Sequence, residues 1–526
     1  MITLLKEIDL LNTGLLPPLI TDYLQNKESL GSLYRFPFDF EAFANVISEK
    51  QKDQTDRQLL VAVLKDQYAD LQQAPFVDQN IDSLLSEKTF TVVAAHQPCL
   101  FMGPLFNVYK IACAVNLAAQ LQQAFPDNHF VPVFWMGSED HDIEELNHTY
   151  INGKKFEWND AGTGAVGRLK TASLSAVIDE LKDFPVSTDI IHILEQGLKK
   201  FDTFGGFTQN FVHELFKEHG LVVLDQDDKR FKQSFVEIIK EEITGFTASK
   251  VLKPTLDLLE ASYKVQARPR DINFFFLGDG YRERIIFNAL TQKYEVKDKG
   301  ISFTAEEMVA EIEAHPERFS PNVIYRPLYQ ELILPNLAFI GGAGELSYWL
   351  ELKALFDHYQ HNFPMLVQRT SMAIVNPGFQ KKLEKLNLSV DDLFGDIEQL
   401  IVRYVKDNLQ ADIQLKEERG KLEEIFNAIS AKAEAADTTL KQSVASEKQK
   451  ALTSLDNMEG KMLKAEKRKQ ETAINQIRSA HSTIFPEGTL QERRDSFLAA
   501  YDAGFITAMV NLANPFDKTF KIIVKD

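Results

Sequence analysis

Thr91-Val-Val-Ala-Ala-His96-Gln-Pro-Cys-Leu-Phe-Met-Gly103-Pro104 is the stretch on which the fold turns. A short apolar run of this kind reads as a strand buried on both faces. It stops at the polar pair His96-Gln97 and turns at Gly103-Pro104, where proline suits the opening of a helix. The spacing beyond it predicts a helix from about Leu105 to Gln123. Phe130-Val-Pro-Val-Phe-Trp-Met136 is the next strand, closed by the polar burst Gly137-Ser-Glu-Asp-His-Asp142. Buried strands alternating with helices argue for a mainly parallel sheet covered on both faces.

The same grammar extends outward. Leu221-Val-Val-Leu ends at Asp225-Gln-Asp-Asp, and Asn273-Phe-Phe-Phe, Leu337-Ala-Phe-Ile and Leu366-Val-Gln are further strand candidates. Their intervals are uneven, so insertions are expected near 152–202 and 248–271. The first eighty or so residues read as mostly helical, with Leu59 to Tyr68 the clearest helix. After Pro377 the strands vanish. Leu415, Leu422, Ile429 and Ala436 recur at a heptad interval, with Ile425 and Leu440 on the neighbouring seam. Leu452, Leu455, Met462, Ile474 and Ile477 continue the pattern, and Asp437-Thr-Thr interrupts it. The reading is a long antiparallel hairpin with its tip near Asp437 to Val444. The expected organisation is an α/β core over 1–377, a helical hairpin over 378–489, and a segment over 490–526 with a last strand at Phe520-Lys-Ile-Ile-Val.

Acidic residues outnumber basic ones, 76 to 58, for a net charge of −18. That balance argues against a nucleic-acid backbone as partner. Two cysteines, Cys99 and Cys113, make no disulfide framework and suit a reducing cytoplasm. The start has no basic segment followed by a long apolar run, and no apolar stretch approaches a bilayer span, so no membrane partner is expected.

The polar clusters fall directly after strand candidates, where open parallel sheets bind ligands. At the first, Gly103-Pro104 opens a helix whose free N–H groups suit an anion, with Lys110 a turn or two inside. His96 is placed to give a proton or to hydrogen-bond a phosphate. At the second, Asp140 or Asp142 suits an ammonium group and His141 a general base. A metal site competes there, but zincin spacing is absent and no metal ligand is assigned. At the third, Gly341-Gly342-Ala-Gly344-Glu345 matches neither a Rossmann fingerprint nor a Walker loop, yet its glycines admit close backbone approach. At the fourth, Arg326 suits a carboxylate or phosphate, with Arg282 and Arg369 as companions. Each cluster also fits a capped turn or a solvated loop. Cys99 and Cys113 read as packing residues rather than nucleophiles. Lys464-Ala-Glu-Lys467-Arg468-Lys reads as a solvated helix face that could also hold a nucleotide phosphate.

These clusters, in this order, resemble the bacillithiol biosynthesis cysteine-adding enzymes. The resemblance rests on Gly103-Pro104 with Lys110, Val131-Pro-Val-Phe-Trp through Glu139-Asp-His-Asp to Asn147-His148, and Leu224-Asp225 with Asp228-Lys-Arg. It continues through Arg326-Pro to Gln330-Glu331, Gly341-Gly-Ala-Gly-Glu to Tyr348-Trp, Ala465-Glu-Lys-Arg-Lys and Leu490-Gln-Glu-Arg. It implies a Rossmann-like core with two connecting insertions, a projecting coiled coil, and a homodimer with the coiled coil as its contact. It implies condensation of L-cysteine with glucosaminyl-malate, the last step to bacillithiol, and a nucleotide pocket near the coiled-coil base, for which Lys464, Lys467 and Arg468 are the candidates. Where a Gly-Gln-Gln start is expected before the Gly-Pro turn, this chain has His96-Gln97-Pro98, and Gln97 is the matching position.

Amide formation needs an activated carboxylate, and ATP or another nucleotide is the chemical default. The His-Ile-Gly-His signature of adenylate-forming cores is missing after the first strand. The expected division of labour sets His96, Gln97 and the Gly103 turn against the activated carboxylate. Asp140, His141 and Asp142 hold or deprotonate an amine. Arg326, Gly341, Gly342, Gly344 and Glu345 frame the acceptor, with Lys110, Asn147 and Tyr348 as further binding residues. Another carboxylate-amine ligase on the same core, or a non-enzymatic coiled-coil scaffold, would share much of this pattern.

Overall fold

A computed structural model describes residues 2–408 and 414–525. The chain divides into two units, 1–374 with 489–526, and 375–488.

The first unit is built on five strands: β1 (Thr89–His96), β2 (His129–Met136), β3 (Val222–Asp225), β4 (Asn336–Gly341) and β5 (Met365–Gln368). Their order is β5-β4-β1-β2-β3, and every pairing is parallel. The chain runs outward from β1 through β2 to β3, then returns to the other side of β1 for β4. The direction reverses between β1 and β4, and open α/β sheets leave a crevice at that point. Helix α1 (Leu105–Ala124) follows β1 and packs on β1 and β2. Pro104 precedes its first turn, and Leu105, Val108, Ile111, Ala112 and Leu117 are sealed against the sheet. Helix α2 (Ala343–Glu351) follows β4, and its Trp349 stacks on Phe339 with ring centroids 4.3 Å apart.

Two elements differ from the sequence reading. Phe274–Gly278 is not in the parallel sheet. It belongs to a separate antiparallel sheet of five strands, with Tyr281–Asn288 and Phe319–Pro321 as its neighbours. The cause is local: Asp279-Gly280, with Gly280 at φ +70°, turns the chain back within two residues and makes a hairpin rather than a crossover. Ile2–Asp9, read as part of a helical lead-in, is a strand paired antiparallel with Thr519–Lys525. Its strand form depends on pairing with a segment at the far end of the chain. The segment 148–202 carries a small hairpin, His148–Ile151 with Lys154–Glu157, and helices Leu174–Lys182 and Thr188–Lys200. Helices Thr247–Val251 and Lys253–Glu260 occupy the second insertion region.

The second unit centres on α3 (Lys416–Ala436) and α4 (Leu440–Lys469). Asp437 ends α3, and its carboxylate accepts the Thr439 N–H at 2.8 Å. Lys441 pairs with Glu434, Lys448 with Asn427 and Arg419 with Asp456, so partners move apart along the two helices as an antiparallel hairpin requires. No described helix is long and apolar enough to cross a membrane.

Candidate active site

A cleft of about 780 Å³ opens at the carboxyl ends of the parallel strands, and its lining comes from the first unit. β1 delivers His96 and Gln97, β2 delivers Asp140 to Asp142, and the turn after β4 delivers Gly342, Gly344, Glu345 and Tyr348.

His96 is neutral. Burial and the nearby Lys110 charge push its imidazole down to about 4. Its Nδ1 lies 3.0 Å from the Gln97 carbonyl oxygen, so Nδ1 carries the hydrogen and Nε2 is left as an acceptor. That arrangement does not suit the proton-donor role read from sequence, because a neutral ring already donating through Nδ1 has only a lone pair to offer. Cys99 Sγ lies 3.5 Å from the same Nδ1, and burial pushes its thiol up to about 12, which leaves it unreactive.

Gln97 Nε2 donates to Asp140 Oδ2 at 2.8 Å, and the His141 N–H donates to Asp140 Oδ1 at 2.7 Å. Burial pushes the Asp140 carboxyl up. The hydrogen bonds from the His141 backbone N–H and from Gln97, with the Arg282 charge, override it and hold the group well below the usual carboxylate range. Asp142 and Glu145 line the same wall. Beneath them Glu139 is fully buried. It pairs with Lys232 and accepts from Gln226 at 2.9 Å and Ser320 at 3.2 Å. The turn at 166–168 braces the loop from outside, with the Val166 N–H on the Asp140 carbonyl at 2.6 Å and the Gly167 N–H on that of Ser138 at 2.7 Å.

On the other side of β1, Glu345 accepts the Gly342 N–H at 2.9 Å and pairs with Lys110 at 2.7 Å. Burial opposes its ionisation, but Lys110 and the Gly342 N–H hold its pKa below the ordinary value. Arg326 donates to Gln330 at 3.0 Å and to the Tyr348 hydroxyl at 3.2 Å, and no carboxylate among the described residues neutralises it. Arg369 is buried and forks onto Glu492 at 2.7 and 3.0 Å, which leaves its buried Nε without a partner. Arg493 completes this wall.

Several sequence candidates stand apart from the cleft lining. Lys110 is only 1% exposed and is spent on Glu345 and the Ala95 carbonyl, so it supports the site from below. Gly103 adopts φ +61°, ψ −139°, where a Cβ would meet that of Cys99 at 2.9 Å, so its role is the turn itself. Gly341 packs against Leu346 and Phe339. Asn147 donates to the Trp158 carbonyl at 3.3 Å and ties the base of the small hairpin. Lys464, Lys467 and Arg468 lie on α4 in the second unit, where Lys467 faces Glu398 at 3.8 Å. Gln226 and Arg493 fall within the runs Asp225-Gln-Asp-Asp and Leu490-Gln-Glu-Arg without being named as site residues, and the wall segment at 266–270 was not singled out, because its neighbours in the cleft are remote in the chain.

Two family models account for nearly the whole chain. "Bacillithiol biosynthesis BshC, N-terminal Rossmann-like domain" matches residues 4–370, and "Bacillithiol biosynthesis BshC, C-terminal coiled-coil domain" matches residues 372–524. A protein of Christiangramia forsetii is 40% identical over 531 residues, covering 97% of each chain. One of Flavobacterium johnsoniae is 38% identical, covering 97% of this chain and 98% of its own, and one of Bacillus cereus is 27% identical, covering 93% of each. All three carry the name "Putative cysteine ligase BshC".

Proposed function

The chain belongs to the bacillithiol biosynthesis BshC family, and from that membership we propose that it is the cysteine ligase of the pathway, joining the carboxyl of L-cysteine to the amine of glucosaminyl-malate. The observation that carries the reading is the division of charge across the switch point. Carboxylates Asp140, Asp142 and Glu145 follow β2, and guanidinium groups of Arg326, Arg369 and Arg493 surround the turn after β4. One substrate is a zwitterion and the other bears an amine and two malate carboxylates, so a cleft with both signs suits both partners.

The unpartnered Arg369 Nε and the unneutralised Arg326 support a carboxylate at that wall, because a buried guanidinium N–H with no acceptor is costly unless a ligand supplies one. The start of α2 adds its free N–H groups. Asp140, held ionised, suits the substrate ammonium. The His96 Nε2 lone pair suits a hydrogen bond from the attacking amine, which it orients without taking its proton. In the reaction the amine nitrogen bonds to the acyl carbon, the bond from that carbon to its activated oxygen breaks, and one amine proton departs. A nucleoside triphosphate such as ATP supplies the activation. Lys464 and Arg468, on α4 of the second unit, suit the phosphates of a nucleotide bound there, apart from the cleft. We place the enzyme in the cytoplasm, where a reducing environment suits a thiol product. We assign it a homodimer through the hairpin, whose Ile425, Ile429, Leu440 and Met458 are 43–56% exposed.

The acceptor assignment is tested by steady-state kinetics of Arg326→Ala. The expected result is a KM for glucosaminyl-malate raised by about tenfold or more, the loss of one charge-assisted contact, with the KM for cysteine unchanged. An equal rise in both would remove Arg326 from the acceptor site.

A further inference from the structure

His141 was read from sequence as a general base, and its surroundings argue for the opposite use. Its Nδ1 is contested. Arg282 Nη1 lies 3.1 Å away with hydrogen-bond geometry, and Asp140 Oδ1 lies 3.5 Å away. Arginine has no acceptor, so the shorter contact exists only if Nδ1 offers a lone pair. In the neutral ring the hydrogen is then on Nε2, for which the described residues provide no acceptor. Arg282 is not free to turn aside. Its Nε donates to Ser320 Oγ and its Nη2 to the Pro321 carbonyl, both at 3.0 Å, and its guanidinium lies 3.9 Å from the centre of the Phe275 ring. The side chain is 8% exposed. The antiparallel sheet thus presents one rigid donor to one ring nitrogen of a cleft residue.

We infer that Arg282 is a positioning residue that holds His141 in the Nε2–H tautomer, so that His141 meets the substrate as a hydrogen-bond donor to a carbonyl or carboxylate oxygen and not as a base. The part played by that donor rests on the ligase reading: when the amine adds to the acyl carbon, the carbonyl electron pair moves to oxygen, and a fixed N–H stabilises the oxyanion. The tautomer itself does not depend on that reading.

The experiment uses full-length protein with 15N-labelled histidine rings. Two-bond 1H–15N correlations distinguish Nε2–H, Nδ1–H and imidazolium forms, and the His141 signal is the one lost in His141→Gln. The wild type is expected to show Nε2–H at neutral pH. Arg282→Met is expected to convert it to Nδ1–H as Asp140 becomes the only neighbour of that nitrogen, and Arg282→Lys, which keeps a donor, to restore Nε2–H. An Nδ1–H or imidazolium form in the wild type overturns the inference, as does an unchanged spectrum in Arg282→Met. If Arg282→Met does not fold, the wild-type spectrum alone decides. In the ligase assay kcat is expected to fall about 10²-fold in His141→Ala, the usual loss for one oxyanion donor, and less in His141→Gln, whose amide still donates. Nε2–H together with full turnover in His141→Ala would remove the oxyanion role, and Nε2–H in a wild type with no ligase activity would refute the ligase reading while leaving the tautomer standing.

Discussion

At the residue scale, what could be read from the chain was the set of polar groups that follow β1, β2 and β4. His96, Gln97, Asp140 to Asp142, Gly342, Gly344 and Glu345 line one cleft because the sheet order brings those strand ends together. What could not be read was pairing across long separations. Arg369 meets Glu492, and Arg282 meets His141, from elements more than a hundred residues apart. For the same reason Lys110 reads in the sequence as an anion ligand, whereas its ammonium is paired with Glu345. Asp225 is a further case. It accepts from Ser138 and from the Asp227 N–H, and burial, with Asp227 beside it, pushes its carboxyl up to about 7 from an ordinary value of 3.8. Below pH 4 it is neutral whether the chain is folded or not. As pH rises towards 7 the unfolded chain ionises freely and the folded chain does not, so stability is lost across that interval and stays low above it. Asp225→Asn has nothing to ionise. Its melting temperature relative to wild type is therefore expected to be higher at about pH 8 than at about pH 5, measured by calorimetry, and a difference that ignores pH would refute the shift.

At the element scale, the β1–α1–β2 reading survives because each of its signals is local: an apolar strand, proline at the helix start, an apolar strand again. The antiparallel sheet was missed because Phe274–Gly278 is apolar in either kind of sheet, and only the Asp279-Gly280 turn tells them apart. The strand at Ile2–Asp9 was missed because its partner lies at the far end of the chain. The 166–168 turn was invisible for a related reason: it grips the loop at Ser138 to Asp140 through backbone groups, which any sequence supplies. Gly167 marks the contact, since a Cβ there would lie 2.5 Å from that of Ser138. Gly167→Ala is expected to reduce stability by about 1–3 kcal/mol, the usual penalty of forced overpacking, and to lower kcat by displacing Ser138 to Asp140. Gly460→Ala is the control, on a face of α4 where nothing lies within 4 Å, and it is expected to be neutral or slightly stabilising. Denaturant unfolding of the two variants checks the pair, and equal behaviour would count against the bracing role.

At the scale of the whole molecule, the heptad spacing made the hairpin legible, and its exposed seam suggests what the hairpin is for. Two helices alone leave Ile425 and Ile429 in water, and a second copy would cover them. Ile425→Asp with Ile429→Asp is expected to convert a dimer to a monomer in analytical ultracentrifugation, and an unchanged mass would move the interface elsewhere. The central claim concerns the cleft in the other unit, and it is tested most directly by incubating the purified protein with L-cysteine, glucosaminyl-malate and ATP with Mg2+, and following the product by mass spectrometry. The account expects the cysteinyl amide of glucosaminyl-malate to accumulate, to require each substrate and the nucleotide, and to disappear in Asp140→Asn. Folded, dimeric protein that forms no amide, even with cell lysate added to supply any missing activator, would contradict it.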